Sequence, residues 1–442
     1  MTAGTETGAP LEEESDFSIR KIKIAFAIMI GTLFGSSILP FTAINLLTLP
    51  MTDEFGWTRT QFSGGLTSMM LVGSISAPFL GQLVDKIGVR RMIIGGTFVV
   101  GLITMALSQQ DGSLWQYYAG FAILGFAGTT AIGYSKVIGA LFNKHRGKAL
   151  AIFGVESSIA GAFAPKLIQW LIDGYGWRGM FIGLGMIILA VIPVLLLWLK
   201  EPEAPKAPET LDDGTATASG LTAGEALASR EFWFILIAGV IALAPAFGLA
   251  PHLIPYLVSK GVTVDTAVWM LSISMLAMAA GTVVGGFLMD QFDTAKVAAP
   301  FSLLTAIGLW FYLLLSGGAT SFAFLLTATI LIGFAGGAKR PMATVFQLRF
   351  FGLKSFATLV GIQAPFQAAC MGISPLLVGM YFDKYGKYEP VFVVMAVLMA
   401  ITFFLFWWLG PFRYAKNLTP IESQTPLGAM EGASAALKQE GR

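Results

Sequence analysis

Twelve long apolar runs, separated by short polar segments, constrain this chain more than any other feature of its sequence. A run of about 18 apolar residues or more can cross the hydrocarbon core of a bilayer as a helix. Because backbone groups in lipid must bond within their own segment, each run is predicted to be helical. The fold class is therefore all-α and integral to the membrane, with spans at 22–48, 60–84, 92–109, 115–141, 147–172, 178–199, 231–258, 265–289, 297–316, 320–348, 355–381 and 389–410.

Composition supports this class and excludes several others. Of 442 residues, 55% are hydrophobic and 12% are charged, whereas soluble domains carry about 25% charged residues. The net charge of +2 and the lack of a basic tract give no reason to expect nucleic acid binding. A single cysteine, Cys370, excludes a disulfide framework and a cysteine-based metal site, and we expect no cofactor.

Loop charges predict the orientation. With the N-terminus in the cytoplasm, inner segments hold 17 Lys and Arg residues and outer loops hold 5, which is the bias that the positive-inside rule requires. Residues 1–19 are polar and acidic and do not resemble a signal peptide. We therefore expect both termini in the cytoplasm and a multi-pass protein of a cell membrane, the inner membrane in a bacterium.

A polar segment divides the spans into two groups of six. Residues 200–230 are rich in Pro, Ala, Thr and acidic residues, which is typical of a linker, with a short amphipathic helix predicted at 221–229. The predicted organisation is a cytoplasmic tail at 1–20, a six-helix bundle at 21–199, the cytoplasmic linker at 200–230, a second bundle at 231–411 and a cytoplasmic tail at 412–442.

The two bundles are related by an internal repeat. Six residues, from Pro40 to Asp85, match residues from Pro245 to Asp290 at a constant offset of 205. The tetrapeptide "GFAG" occurs at 125–128 and again at 333–336, and "DGYG" at 173–176 corresponds to "DKYG" at 383–386. Six spans separate equivalent points, so the bundles form a parallel pseudo-repeat with a binding site expected near the membrane midplane between them.

Four motifs carry a resemblance to a known family. "GQLVDKIGVRRM" at 81–92 resembles the loop signature of the major facilitator superfamily (MFS). "EFGWTRTQFS" at 54–63, "LFNKHRGKALAIFG" at 141–154 and "RFFGLKSFATLVG" at 349–361 resemble the branch that holds oxalate/formate antiporters and monocarboxylate transporters. The resemblance implies the MFS fold, in which one bundle rocks on the other to alternate access.

The same resemblance implies gating roles for the loop signature. Asp85 with Arg90 or Arg91 would latch the two halves when the transporter faces outward, unless these residues form only a positively charged inner loop. The second copy keeps Asp290 but lacks the paired arginines, so we expect a weaker latch there.

Charges inside the spans point to a substrate. Lys339 and Arg340 lie deep in the tenth span, and no acidic residue within the spans of the second bundle can neutralise them. A charge at this depth is costly and usually faces a cavity or a partner, and Arg and Lys both suit a carboxylate. We expect them to bind an organic anion, the alternatives being pairing with Glu156 across the cavity or a reach to the cytoplasmic mouth.

Two further lysines have candidate partners. Lys136 and Glu156 lie on adjacent spans at depths that a lysine side chain can bridge. They form either a structural ion pair or a functional one, in which Glu156 takes up the coupling proton or Lys136 meets substrate. Lys166, about nine residues from the outer turn, is expected to extend its ammonium towards the lipid headgroups.

Polar side chains in other spans complete the candidate site. Each is more often a helix–helix hydrogen bond than a ligand contact. Tyr134 and Asn45 are favoured because the first and fourth helices line the cavity in the superfamily. Gln363 and Gln367 are one turn apart and could offer two amides to one face, and His252 could titrate near neutral pH.

The sequence predicts secondary transport rather than catalysis. No P-loop motif occurs, and no nucleophile–base or metal-ligating constellation indicates an enzyme. We expect a functional monomer that moves a small organic anion by proton symport or anion exchange. The alternatives are proton-driven efflux of apolar or cationic compounds, and a membrane sensor with the same fold that does not transport. The eighth and eleventh spans carry no basic residue, unlike many anion transporters of this branch, so the substrates of that branch are not assigned here.

Overall fold

The structure is a computed structural model that describes residues 19–35, 38–131, 133–134, 137, 146–199, 220–315, 322–352 and 354–414, with the backbone alone at 19–22, 85, 131, 146–157, 290, 340 and 357. Most of the predicted tails and linker lie outside these ranges. The boundaries of the predicted domains therefore stay predictions.

Helices make up almost all of the described chain. They are α1 (Ile19–Phe34), α2 (Ile38–Phe55), α3 (Arg59–Ile87), α4 (Val89–Ala106), α5 (Leu114–Gly128), α6 (Arg146–Ala190), α7 (Ile192–Trp198), α8 (Ala223–Ala228), α9 (Arg230–Gly248), α10 (Leu253–Ser259), α11 (Val264–Gln291), α12 (Ala299–Leu313), α13 (Phe322–Phe351), α14 (Phe356–Tyr385) and α15 (Glu389–Trp407).

These helices confirm the predicted all-helical membrane fold. Within the described residues, ten helical stretches are long and apolar enough to cross a membrane. One of them, Ser158–Trp198, holds two predicted spans, which Gly176 separates with a positive φ of 68° that glycine adopts without strain. The fourth predicted span corresponds to α5 and the turn Thr129–Ala131, after which the chain is only partly described.

Helix packing follows the internal repeat. A Cβ on Gly125 in α5 would lie 2.1 Å from the backbone oxygen of Met69 in α3. In the second half, a Cβ on Gly333 in α13 would lie 2.3 Å from the backbone oxygen of Ser274 in α11. Both glycines open the repeated tetrapeptide, and Met69 and Ser274 are 205 residues apart. The motif recurs because each half needs one helix to approach another without an intervening side chain.

The apolar core is shared at one end of the molecule and divided at the other. At the end that holds residues 56–58, 260–263 and 386–388, a single buried cluster combines residues of both halves, among them Trp57 and Leu257. At the end that holds residues 85–91 and 290–296, the described residues form two separate clusters, one within each half. We call the first the closed end, because the halves pack together there.

The short helix predicted at 221–229 is present as α8. Thr222 caps it, and its hydroxyl and the Glu225 carboxylate form a reciprocal capping box. The backbone and hydroxyl hydrogen bonds that Thr222 donates lower the pKa of the Glu225 carboxyl. The amide of Leu221 donates to the carbonyl of Phe351 at 2.9 Å, so the C-terminal end of the linker is attached to the second half.

Candidate functional site

The closed end is held first by a helix cap that joins the two halves. Asp383, at the end of α14, accepts hydrogen bonds from the backbone amides of Arg59 (2.9 Å) and Thr60 (2.8 Å), the first two residues of α3. Gly379, one turn earlier, permits this approach, since a Cβ there would lie 2.9 Å from the Arg59 backbone. A carboxylate at a helix N-terminus satisfies unpaired amides and complements the helix dipole.

An ion pair joins the halves on the other side of the closed end. Lys166 of α6 places its ammonium 2.5 Å from the Asp265 carboxylate in the first turn of α11 and 4.6 Å from the centre of the Trp269 ring. The expectation that Lys166 extends to the lipid headgroups is therefore wrong. Its side chain turns across the interface because a carboxylate and an aromatic face of the other half lie within reach.

Each half also ties its own outermost loops together with an ion pair. Glu54, near the end of α2, accepts from Trp177 and Arg178. In the second half, Lys260 after α10 pairs with Glu389, the first residue of α15, at 2.6 Å. The two pairs occupy corresponding places in the repeat with their charges exchanged, so the loops at this end are tied together within each half.

His252 lies at the centre of the closed end. Its side chain is 1% exposed, and its Nε2 lies 3.0 Å from the Pro375 carbonyl oxygen and 3.1 Å from the Ser63 hydroxyl. Its Nδ1 lies 3.4 Å from the Tyr388 hydroxyl. Ser63 belongs to the first half and the other partners to the second. The sequence predicted a proton-coupling role for His252, and the structure places it at the contact between the halves.

Asn45 lies on the face of α2 that is turned towards the other half. On that face, Phe41 pairs with Phe247 of α9 at 5.9 Å between ring centres, and Thr48 donates to the Pro251 carbonyl at 2.6 Å. Asn45 follows Phe41 by four residues and precedes Thr48 by three, so the three share one helical stripe. Its side chain is half-buried and lies next to the boundary of the closed end, between the halves.

Gln363 and Gln367 share a face of α14 that packs on α9. The Gln367 amide nitrogen comes to within 4.0 Å of a Cβ built on Gly239, and the Cys370 thiol, one turn further, lies 3.2 Å from the Val240 carbonyl. Gln363 is 5% exposed, and its amide nitrogen has no hydrogen-bond partner among the described groups. The predicted pairing of these two amides on one face agrees with this geometry, whereas contact with a substrate stays a prediction.

Lys339 extends from α13 towards α12. Its ammonium lies 3.4 Å from the Thr305 hydroxyl oxygen, and that hydroxyl donates its own hydrogen to the Phe301 carbonyl. Among the described side chains, no carboxylate contacts Lys339, which is half-buried. The side chain of Arg340 lies outside the description, so the paired positive centre is described only in part.

Of the remaining substrate-binding and proton-coupling candidates in the first half, the structure describes one side chain. Tyr134 is 3% exposed, and its hydroxyl lies where a Cβ on Gly31 of α1 would be, at 2.3 Å, so its ring packs against the first span. Lys136 lies outside the described residues, and Glu156 is described only as part of the backbone of α6. Their predicted pairing is therefore untested.

The predicted gating residues are also seen in part. The guanidinium of Arg90 donates to the carbonyl of Leu196 in the last turn of α7, where a cation complements the helix dipole, and Arg91 is exposed. The side chains of Asp85 and Asp290 are not described, and the latch stays a prediction.

Sequence reasoning missed a buried arginine at the end of the molecule opposite the closed end. Arg349, 5% exposed, lies 2.9 Å from the Asp293 carboxylate, donates to the Tyr414 carbonyl and stacks on the Phe412 ring. In the sequence it is one of the 17 basic residues of the predicted inner segments, with no local sign that it is buried. Asp383 was also missed, although its place in the repeated "DKYG" motif was recognised.

Comparison with known proteins agrees with this architecture. The sequence profile of the Major Facilitator Superfamily matches residues 24–268 and 235–439. Human monocarboxylate transporter 11 is 24% identical over 372 residues, which is 81% of this chain and 77% of that protein. The hexuronate transporter of Escherichia coli is 24% identical over 430 residues, which is 88% of this chain and 95% of that protein.

A solved structure shows the same fold. A bacterial homologue of the human lysosomal transporter Spinster, crystallised in an inward-facing and unoccupied conformation, superposes with a TM-score of 0.71 at 16% identity, covering 88% of this chain and 97% of that one. The profile match spans both halves of the chain, in agreement with the internal repeat and with the helix packing that recurs in each half. The chain is therefore a member of the Major Facilitator Superfamily, a membrane transporter of a small-molecule substrate and not an enzyme.

Proposed function

We propose that this protein is a secondary active transporter that carries a small organic anion across the membrane by alternating access. The observation that carries the proposal is Lys339: a cation within a membrane span whose described partner is the neutral Thr305 hydroxyl. Such a group is costly unless a partner completes it. A carboxylate substrate would supply the missing negative charge, and Arg340 follows directly in the sequence.

The names of the relatives support the same substrate class. A monocarboxylate transporter and a hexuronate transporter both carry, by their names, molecules with a carboxylate. The Gln363 amide nitrogen, which has no partner among the described groups, and the half-buried Asn45 could add neutral hydrogen bonds to such a ligand. Lys136 and Tyr134 remain candidates for the same role.

The loop charges give the proposed conformation and direction. If the positive-inside bias holds, the closed end faces outward and both termini lie in the cytoplasm. The described state is then inward-facing, with the halves divided at the cytoplasmic end. Transport would be coupled either to protons, with Glu156 and His252 as candidate carriers, or to exchange of a second anion. We propose a functional monomer in a cell membrane, the inner membrane in a bacterium.

Transport in proteoliposomes tests the proposal. We expect Lys339→Ala to lower carboxylate uptake by about 10- to 100-fold, since a hydrogen bond to a charged group contributes about 1.5–3 kcal/mol. The matched control is Lys296→Ala, which removes an exposed lysine of the neighbouring loop and should leave uptake unchanged. A pH gradient that drives uptake indicates symport, and acceleration by internal anion indicates exchange.

Three outcomes would contradict the proposal. Unchanged carboxylate uptake in Lys339→Ala would remove the proposed anion site. Proton-driven efflux of cationic or apolar compounds, without carboxylate transport, would establish the alternative function, and saturable binding without flux would indicate a sensor.

A further inference from the structure

His252 occupies a break in the seventh span. The helix α9 ends at Gly248, a single 3-10 turn follows at Ala250–His252, and α10 begins at Leu253. The break places the imidazole between the halves, and the adjacent Pro251 carbonyl accepts from Thr48 of the first half. The ring is therefore held at a point where the backbone of one half is already bonded to the other.

The hydrogen-bond partners determine the protonation state of the ring. The Pro375 carbonyl can only accept, so Nε2 must carry a hydrogen. Ser63 lies close enough to share that hydrogen. In the neutral ring Nδ1 is then an acceptor, and the Tyr388 hydroxyl donates to it. Because Ser63 alone among these partners belongs to the first half, its contact with Nε2 is the bond that crosses the interface.

Protonation would upset this arrangement. Both ring nitrogens would then be donors, and Tyr388, which is 3% exposed and stacked on Phe382 at 4.2 Å, would have to turn its hydroxyl hydrogen away. The added positive charge would also be buried, which is costly unless a counter-charge compensates it. Separation of the halves would relieve the second penalty, because the charged ring would then meet water.

The charged groups around His252 do not supply that compensation. Arg59, at the start of α3, bonds to Thr52 and to the Thr48 carbonyl and would repel a second cation. Asp383, at the end of α14, carries a negative charge that favours the protonated ring, but the positive charge of Arg59 opposes this effect. The pair Lys260–Glu389 is neutral as a unit, and the phenols Tyr388 and Tyr256 carry no charge.

We propose that His252 is a proton-binding gate residue: its neutral form holds the closed end shut, and its protonation releases that end. The inference rests on the alternating access proposed above and adds a specific proton site to it. If the closed end faces outward, acid on the outer side favours the outward-open state, which is the direction that a proton symporter requires.

The test measures the gate directly and needs no substrate. Spin labels replace the exposed residues Asp111 and Lys387, on the closed-end loops of the two halves, in a Cys370→Ser background. We expect the distance between the labels to lengthen between pH 7.5 and pH 5.5. Glutamine keeps an N–H donor and an acceptor but does not titrate, so His252→Gln should stay closed across this range.

The chain supplies its own control, since it contains two histidines. His145→Gln should keep the full pH response. A second variant, Tyr388→Phe, removes the donor to Nδ1, and the loss of one hydrogen bond to the neutral ring should move opening to higher pH by about half a unit or more. The test therefore does not depend on the folding of a single variant. A pH response that persists in His252→Gln, or no response in the parent, overturns the inference. Because no anion is present, failure of the anion proposal would leave this result intact.

Discussion

Asp383 gives the most direct test of how the two halves are held together. Its carboxylate accepts hydrogen bonds from the first two backbone amides of α3. The Thr58 hydroxyl accepts from the Gln61 amide at 3.2 Å, and the Thr58 carbonyl accepts from the Phe62 amide at 3.0 Å. All four amides of the first turn are thus satisfied, two of them by the opposite half. Replacing Asp383 by Ala leaves those two without a protein partner.

The magnitude follows from this geometry. Loss of a helix N-cap acceptor costs about 0.5–2 kcal/mol, and loss of a negative charge at a helix N-terminus costs about 0.3–1 kcal/mol. Because Asp383 is exposed, water screens its charge and replaces part of its bonding. We therefore expect Asp383→Ala to shift the equilibrium towards the open form by about 1–2 kcal/mol, or about 5- to 30-fold.

The assay is the same label pair at Asp111 and Lys387. The open fraction should rise in Asp383→Ala and rise less in Asp383→Asn, which keeps an acceptor but loses the charge. Asp173→Ala is the matched control, because Asp173 is the repeat counterpart of Asp383 and is exposed. Equal effects of Asp173→Ala and Asp383→Ala, or no effect of either, would refute the argument that this cap stabilises the closed end.

Two further predictions concern stability. Gly125→Ala and Gly333→Ala should each lower the free energy of unfolding by about 1–3 kcal/mol, because the new methyl group would meet a backbone carbonyl at 2.1 or 2.3 Å. The control Gly336→Ala should leave the free energy of unfolding unchanged, because the added Cβ meets open space. Thermal unfolding in detergent measures the difference, and equal melting temperatures of the three variants would contradict the packing argument. Arg349→Ala should lower the free energy of unfolding by about 2–3 kcal/mol, because it removes the ion pair with Asp293, the hydrogen bond to the Tyr414 carbonyl and the stacking on Phe412. The same thermal unfolding assay measures this loss, and a change below about 0.5 kcal/mol would show that this cluster is not structural.

The sequence alone determined the architecture. Hydropathy is a local property, and the cost of unbonded backbone in lipid leaves helices as the only structure for each apolar run. The twelve spans, the division into halves, the short helix α8 and the repeat were therefore all readable without coordinates. The repeat even located the packing glycines, since "GFAG" marks the same helix contact in each half.

Tertiary structure decided which groups meet. The depth of Lys166 alone predicts a reach to the headgroups, yet its partner Asp265 is 99 residues away and on the other half. Asp383 and the start of α3 are more than 320 residues apart, so no local pattern could join them. Lys339 was recognised as unneutralised within its own half, but its direction towards Thr305 depends on how α13 is rotated against α12. Depth along a helix follows from counting residues, whereas rotation and partner follow from the packing of distant segments, which sequence spacing does not encode.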